Sequence, residues 1–255
     1  MNISLCLYGF IRHIENVNNI NIFVNNIKFV KIDKLTIYYS CPNKIEETSD
    51  NFDENEILRL FKIIECEKIE VKIVFRNYDK CIFVEKAISL NYPRLTSNKL
   101  HSYRALSCLY GISETMKLVD KECDYIIVSR LDIIHFIISF NNVFNVNEKL
   151  INTAYIWRTI PYISKGENEF HVEDRFFICS YDCIPILQEV YDNIGHLVID
   201  EKKLCSEIIL GIVFNQYNNL NKFHLHNLIL DINKLNNYTM QRVSIKYSKT
   251  FLDEM

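Results

Sequence analysis

Glycine and proline are scarce in this chain, with only 5 glycines and 4 prolines among 255 residues. No Pro-, Gly- or Ser-rich linker, internal repeat or block of like charge marks a domain boundary, which favours one domain over residues 1–255. The glycines do not occur in the P-loop pattern G-x-x-x-x-G-K-[ST], the dinucleotide-binding pattern G-x-G-x-x-G or the nucleophile elbow G-x-S-x-G. These absences argue against the kinase, dehydrogenase and hydrolase classes that use those motifs.

The chain also lacks an excess of charge and a long apolar run. Its 29 basic and 32 acidic residues give a net charge of −3, so the composition predicts no nucleic-acid partner. Apolar runs such as "IILGIVF" are far shorter than the roughly 20 residues that a transmembrane helix needs. The start, "MNISLCLYGFIRH", has no basic region before its apolar stretch and no small-residue cleavage site after it. We expect no signal peptide and no transmembrane segment.

The paired C-x-x-C spacing of zinc sites is missing, although the chain has nine cysteines. Most of these cysteines stand beside Ile, Leu, Phe or Val, which is typical of buried, reduced thiols. Cys179 and Cys183 are four residues apart, but no second pair accompanies them. The cysteine pattern therefore predicts a cytoplasmic protein without a zinc site.

Apolar β-branched runs alternate with longer helical patterns along the chain. In the first half we predict strands at 3–9, 35–40, 71–75 and 124–129, and helices at 13–29, 53–64 and 96–121. In the second half we predict strands at 151–157 and 173–179, helices at about 181–193 and 201–216, and a last strand in "KFHLHNLIL". This alternation predicts an α/β fold with a mixed, mostly parallel sheet flanked by helices.

One predicted strand ends in two charged residues. In "CDYIIVSRLDIIHF" the buried run is followed by Arg130 and Asp132. Ligands of open α/β sheets bind outside the carboxyl ends of the strands. A carboxylate there can coordinate a divalent cation, and an arginine can bind phosphate oxygens. The same two residues could instead form a buried ion pair or a turn, and their spacing leaves both interpretations open.

The segment "SNKLHSYRALSCLYGISETMKLVDKECDYIIVSRLDII" resembles a group of glycosyltransferase-like proteins of bacteria and large DNA viruses. In those proteins a helix that begins near an Asn-Lys pair leads to a strand reading roughly "YDyvIrlRxD". They resemble the GT-A nucleotide-sugar transferases, whose D-x-D motif occupies the same strand end. The resemblance implies a GT-A-like fold, with a nucleotide-sugar-binding half at 1–132 and an acceptor-side half at 133–255.

Other motifs of the family have counterparts in the same order. The turn "LYGFIR" is similar to a "sGxxR" sequence, which implies that Gly9 and Arg12 approach the nucleotide. Asp79 falls where these folds often recognise the nucleobase or ribose. "HVEDRFF" resembles the x-E-D motif, whose aspartate, here Asp174, is the base in many inverting members. In "FHLHN", His226 stands where many members place a metal-binding histidine.

Each of these residues also has a structural interpretation. Asp79 could cap a helix, and Asp174 could complement the dipole of the helix predicted near Tyr181. A single strand histidine such as His226 is more often structural. Glu207, in the helix "CSEIILGIV", is a second candidate base and could equally be a surface residue.

The reaction of the family explains why cations are needed. Negative charge grows on the departing pyrophosphate, so a metal ion or a basic cluster stabilises the transition state. The basic candidates are Arg12, Lys99, Arg104 and Arg130. Because Arg130 replaces the first aspartate of D-x-D, either Asp132 and His226 hold Mn²⁺ or Mg²⁺ together with the pyrophosphate, or Arg130 supplies the charge itself.

The sequence therefore predicts a glycosyltransferase that moves a sugar from a nucleoside diphosphate sugar to a hydroxyl of a glycan, lipid or protein acceptor. Two alternatives stay open. One is a catalytically lapsed relative that binds a sugar nucleotide or a protein partner. The other is a metal-dependent phosphodiesterase or nuclease that uses Asp132 with Glu173 and Asp174.

Overall fold

The computed structural model describes most of the predicted strands and helices. The described residues are 2–9, 32–43, 53–77, 83, 85–86, 89–90, 99–131, 137–139, 154–156, 174, 176–179, 181–197, 206–216 and 229–230. Among the predicted elements, the helix at 13–29 lies outside these residues.

The strands form one large and one small sheet. They are β1 (Asn2–Tyr8), β2 (Lys34–Pro42), β3 (Ile69–Arg76), β4 (Tyr125–Arg130), β5 (Ile137–Ser139), β6 (Ala154–Ile156), β7 (Phe176–Cys179) and β8 (Ile229–Leu230). Six of them pair in the order β3-β2-β1-β4-β7-β6, while β5 pairs with β8. The first four strands of that order are parallel, and β7 is antiparallel to both β4 and β6. The predicted α/β class with a mixed, mostly parallel sheet is confirmed.

The described helices follow the predicted pattern. They are α1 (Glu54–Lys62), α2 (Lys99–Met116), α3 (Ile184–Glu189), α4 (Ile194–Leu197) and α5 (Ser206–Gln216), with a 3₁₀ helix at Tyr181–Cys183. The helix predicted to continue to residue 121 ends at Met116, because the N–H groups of Leu118 and Val119 bond three residues back and tighten the last turn. The helix predicted at 181–193 is divided: the 3₁₀ turn comes first, and the α-helix then starts with Pro185 in its first turn, where no N–H is needed.

The central strands are buried on both faces, as continuous apolar runs in a parallel sheet predict. Every residue from Ile3 to Tyr8 is buried. Helix α2 covers one face of the sheet, and its side chains Leu106, Leu109 and Ile112 belong to the same core cluster as Cys6 and Tyr8 of β1. The helix predicted from three- and four-residue spacing therefore packs directly on the strand that leads into the site described below. No described helix has both the length and the apolar character needed to cross a membrane.

Helix α2 is also bonded to the sheet where β1 and β2 stop pairing. The last paired residues of these strands are Leu7 and Tyr39. At that point the buried hydroxyl of Thr115 donates to the carbonyl oxygen of Leu7 (2.8 Å) and accepts from the N–H of Ser40 (3.3 Å). One side chain thus satisfies backbone groups of two strands and fixes α2 above their carboxyl ends.

Replacing Thr115 by valine should lower the free energy of unfolding by about 1–3 kcal/mol, because two buried backbone groups lose a partner while the side-chain volume is kept. Urea unfolding followed by circular dichroism measures this. Thr115→Ser, which keeps the hydroxyl, should lose less. Equal stability of the valine variant and the wild type would show that the hydroxyl is dispensable.

The amino-terminal edge of the sheet carries a group of ion pairs. Glu70 of β3 accepts from Lys121 (2.7 Å) and Lys34 (2.6 Å), and Lys72 of β3 pairs with Asp120. The bonds from Lys121 and Lys34 lower the pKa of the Glu70 carboxyl to about 2. Three lysines and two carboxylates thus form ion pairs at the edge opposite the candidate site.

Candidate functional site

Three elements of the large sheet meet at its carboxyl edge. Strands β1 and β4 end side by side, with Tyr8 paired to Arg130, and the N–H of Leu131 donates to the carbonyl oxygen of Tyr8 (3.1 Å). Strand β7 runs the other way, so its first residues lie at this same edge, where Phe176 pairs with Ser129. Asp174 precedes β7 by two residues and therefore stands beside the ends of β1 and β4.

Gly9 forms the turn that leaves β1 at this edge. Its φ angle is +94°, a conformation that residues with a side chain rarely adopt. The hydroxyl of Tyr39 donates to its carbonyl oxygen (2.7 Å). The glycine of the "LYGFIR" turn is therefore required by the backbone of the turn itself, in addition to any role beside a nucleotide.

Helix α2 brings a thiol to the site through a close approach to β1. A Cβ atom added to Gly111 would lie 3.3 Å from Cβ of Tyr8, so the absence of a side chain lets the helix pack tightly there. One turn earlier in α2, the sulfur of Cys108 lies 3.7 Å from the hydroxyl oxygen of Tyr8. The buried face of α2 thus becomes one wall of the site.

Asp174 is the residue on which these elements converge. The Tyr8 hydroxyl donates to the backbone carbonyl oxygen of Asp174. The Ser206 hydroxyl, from α5, donates to the Asp174 carboxylate at Oδ2 (2.5 Å), and the Cys108 sulfur lies 3.5 Å from the same oxygen. Glu207 follows Ser206, and its Oε2 lies 3.5 Å from the Ser206 hydroxyl oxygen. We call Tyr8, Cys108, Arg130, Asp174, Ser206 and Glu207 the carboxylate cluster.

The electrostatics of the cluster keep its two weak acids protonated. Burial raises the pKa of the Cys108 thiol well above its usual value, and the nearby charge of Asp174 adds to this while Arg130 opposes it. Burial likewise raises the pKa of the Tyr8 phenol, with further contributions from Cys108 and Asp174 and an opposing one from Arg130. Tyr8 and Cys108 are therefore neutral groups with hydrogens to donate. The charges of the cluster come from one arginine and two acidic side chains.

The structure brings three of the predicted site residues together: Asp174 and Glu207 both lie within 3.5 Å of the Ser206 hydroxyl, and Arg130 pairs with Tyr8, whose hydroxyl donates to Asp174. All three are partly exposed. The helices that contact the Asp174 carboxylate are α2, through Cys108, and α5, through Ser206, whereas the sequence suggested the helix near Tyr181 as its dipole partner.

The other predicted site residues are only partly covered by the structure. Gly9 lies at the end of β1, next to Tyr8 of the cluster. Lys99 and Arg104 belong to α2, but their side chains are outside the described part of the chain. Arg12, Asp79, Asp132 and His226 also lie outside the described residues. Among the residues that the structure does describe, no group of three or more His, Cys, Asp or Glu is arranged to hold a metal ion. The metal roles of Asp132 and His226 stay predictions.

No protein-family model and no curated protein sequence matches the chain. Among solved structures, it is similar to mouse xyloside xylosyltransferase 1 in its apo form, with a TM-score of 0.44 and 10% sequence identity. The similarity covers 94% of this chain and 90% of that chain.

Sequence reasoning missed three members of the cluster, namely Tyr8, Cys108 and Ser206. Tyr8 ends an apolar run, and Cys108 lies in an apolar helical pattern, so both are typical of core residues. Ser206 precedes Glu207 and gives no signal of its own. Two of them could have been predicted from their neighbours, because Tyr8 precedes Gly9 and Ser206 precedes Glu207, and both neighbours were candidate site residues.

Proposed function

We propose that the chain is a nucleotide-sugar-dependent glycosyltransferase with a GT-A-like domain over residues 1–255. The observation that carries the proposal is the meeting of Arg130, Asp174 and Glu207 beside the carboxyl ends of β1 and β4, through their contacts with Tyr8 and Ser206. They come from three separate segments of the chain, and each was predicted to take part in the same reaction. The carboxyl edge of a parallel sheet is also where α/β proteins bind nucleotides.

Asp174 acts as the base in this proposal. Its carboxylate accepts the proton of the acceptor hydroxyl while the acceptor oxygen forms a bond to the anomeric carbon of the donor sugar. The bond from that carbon to the pyrophosphate breaks, and the nucleoside diphosphate leaves from the opposite face. Partial exposure of Asp174 lets an acceptor reach it, and the donation from Ser206 favours the ionised form that a base requires. Glu207 is the second candidate for this role.

Arg130 acts on the leaving group. The pyrophosphate gains negative charge as it departs, and a guanidinium at the end of β4 binds two of its oxygens at once. Within the described residues this arginine is the cation of the cluster, so the leaving-group role can be assigned without a metal ion. A divalent ion bound by Asp132 would add Lewis-acid stabilisation of the same pyrophosphate.

The remaining predicted residues complete the proposal. Residues 1–132 form the donor half, in which Gly9, Arg12 and Asp79 approach the nucleotide. Residues 133–255 form the acceptor half, and the acceptor is a glycan, lipid or protein hydroxyl. Lys99 and Arg104 add positive charge near the pyrophosphate.

The test is a melting-temperature panel of UDP-, GDP-, dTDP- and CMP-sugars, each with and without Mn²⁺, on the wild type and on Asp132→Ala. A ligand that binds only the folded state raises the melting temperature. At one hundred times its dissociation constant it increases the free energy of unfolding by about 2.7 kcal/mol. We expect a rise with one nucleotide family. If no nucleotide sugar raises the melting temperature, with or without Mn²⁺, the assignment of a donor site is wrong and the proposed function fails.

Assays of sugar transfer, donor hydrolysis and phosphodiester cleavage, added to the panel, separate the alternatives. Binding of a nucleotide sugar without sugar transfer or donor hydrolysis would indicate a lapsed relative. Cleavage of a phosphodiester without recognition of any sugar nucleotide would indicate the phosphodiesterase or nuclease class. Loss of the Mn²⁺-dependent part of the shift in Asp132→Ala would assign that aspartate to the metal.

A further inference from the structure

A hydrogen bond from a neighbouring helix holds the candidate base. The Ser206 hydroxyl lies 2.5 Å from Oδ2 of Asp174, and the Ser206 residue is only 5% exposed. Water therefore has little access to the donor side of this bond. The same carboxylate oxygen lies 3.5 Å from the Cys108 sulfur, while the Tyr8 hydroxyl fixes the backbone of Asp174.

We infer that Ser206 is a positioning residue, which orients the Asp174 carboxylate by donating a hydrogen bond to its Oδ2 atom. This inference rests on the proposed function, because it gives Ser206 a task only if Asp174 is the base. A base must be held in a narrow range of geometry, and a displacement of about 1 Å is enough to cost roughly a hundredfold in rate. Contacts from β1, α2 and α5 supply that restraint.

Loss of the Ser206 hydroxyl should change the protonation of the Asp174 carboxylate, which a general loss of stability would not do. A hydrogen bond to a charged group favours the ionised form, so its removal makes the carboxylate easier to protonate. Among the described residues, the titratable and charged groups next to the carboxylate are Tyr8 of β1 and Cys108 of α2, which contact Asp174, Arg130 of β4, which pairs with Tyr8, and Glu207 of α5, which lies beside Ser206. They are unchanged in a Ser206 variant, so a shift in titration reports the missing hydroxyl.

The test compares Ser206→Ala, Ser206→Thr and Ser113→Ala. Ser113 is a matched control because it is also a buried helical serine, but its hydroxyl donates to the backbone of Gln188, away from Asp174. Titration of the Asp174 carboxyl is followed by ¹³C NMR on protein labelled at aspartate, with the signal assigned from its loss in Asp174→Asn. The rate of donor hydrolysis against pH is measured with the nucleotide sugar that the panel selects.

We expect the titration midpoint of the Asp174 carboxyl to rise by about one pH unit in Ser206→Ala. The acidic limb of the rate profile should move with it, and turnover at neutral pH should fall roughly tenfold to a hundredfold. Ser206→Thr, which keeps a hydroxyl, should have a titration midpoint and a rate profile close to those of the wild type. Ser113→Ala should leave the midpoint and the rate profile unchanged even if its melting temperature falls.

An unchanged midpoint in Ser206→Ala, with the protein folded, would overturn the inference while the proposed function stands. If Ser206→Ala does not fold, a shifted midpoint in the hydroxyl-retaining Ser206→Thr would overturn it instead. A moved midpoint with an unmoved rate profile would remove Asp174 as the base and would also overturn the inference, whereas the proposed function fails only if no nucleotide sugar raises the melting temperature. The two failures are therefore distinguishable.

Discussion

Asp174→Asn should lower the rate of sugar transfer by roughly 10²–10⁴-fold, the range that removal of a general base produces. The amide cannot accept the proton of the acceptor hydroxyl, but its oxygen can still accept the hydrogen bond that Ser206 donates to the carboxylate. The site should therefore keep its shape and its affinity for the donor. Turnover is measured with the nucleotide sugar that raises the melting temperature, and donor affinity by calorimetry.

Glu207→Gln is the matched comparison, since it also replaces a partly exposed carboxylate of the cluster by an amide. It should cost much less than Asp174→Asn. A larger loss in Glu207→Gln would transfer the role of base to Glu207. If neither amide lowers turnover by more than a few-fold, the cluster does not contain the base.

Arg130→Gln should weaken donor binding by about 10- to 100-fold, because a charge-assisted hydrogen bond to a phosphate contributes about 1.5–3 kcal/mol. Arg130→Lys should recover only part of the loss, since an ammonium group cannot bind two pyrophosphate oxygens in the planar, bidentate manner of a guanidinium. Isothermal titration with the selected nucleotide sugar and with the free nucleoside diphosphate measures both effects. The loss should be similar for the two ligands, because both carry the pyrophosphate.

Arg76→Gln is the control for removing an arginine from a strand end. Arg76 ends β3, but its guanidinium is engaged by Glu114 (2.6 Å) and by the Ser40 hydroxyl (2.8 Å). Its replacement should lower the melting temperature and change donor affinity by less than a few-fold. Equal losses of affinity in Arg76→Gln and Arg130→Gln would mean that Arg130 has no special contact with the donor.

The strands were predictable because their signal is local. Runs such as "ISLCLYG" and "DYIIVSR" are apolar without alternation, as strands buried on both faces require, and the structure has β1 and β4 there. Helix α2 was predictable for the same kind of reason, because its apolar residues recur every three or four positions. The helix predicted at 181–193 was wrong in its bounds, since the structure has a 3₁₀ helix at Tyr181–Cys183 followed by α3, and the short helix α4 was not predicted.

Part of the candidate site could also be predicted. Arg130 was found from a charged residue at the end of an apolar run, Asp174 from its resemblance to a family motif, and Glu207 as an acidic residue within a predicted helix. Their convergence could not be derived, because it depends on the antiparallel return of β7 beside β4. A parallel β7 would have carried Asp174 to the other edge of the sheet.

The sequence by itself determined the class of fold, the strands and helices of the core, and three residues with suitable chemistry for the proposed site. Only the tertiary structure decided that Tyr8, Cys108 and Ser206 surround Asp174, and that Thr115 joins α2 to the ends of two strands. Hydrophobic periodicity is written in neighbouring residues, and it fixes which face of an element is buried. Contacts between residues 32 to 166 positions apart depend on strand order and direction, which no local pattern in this chain encodes.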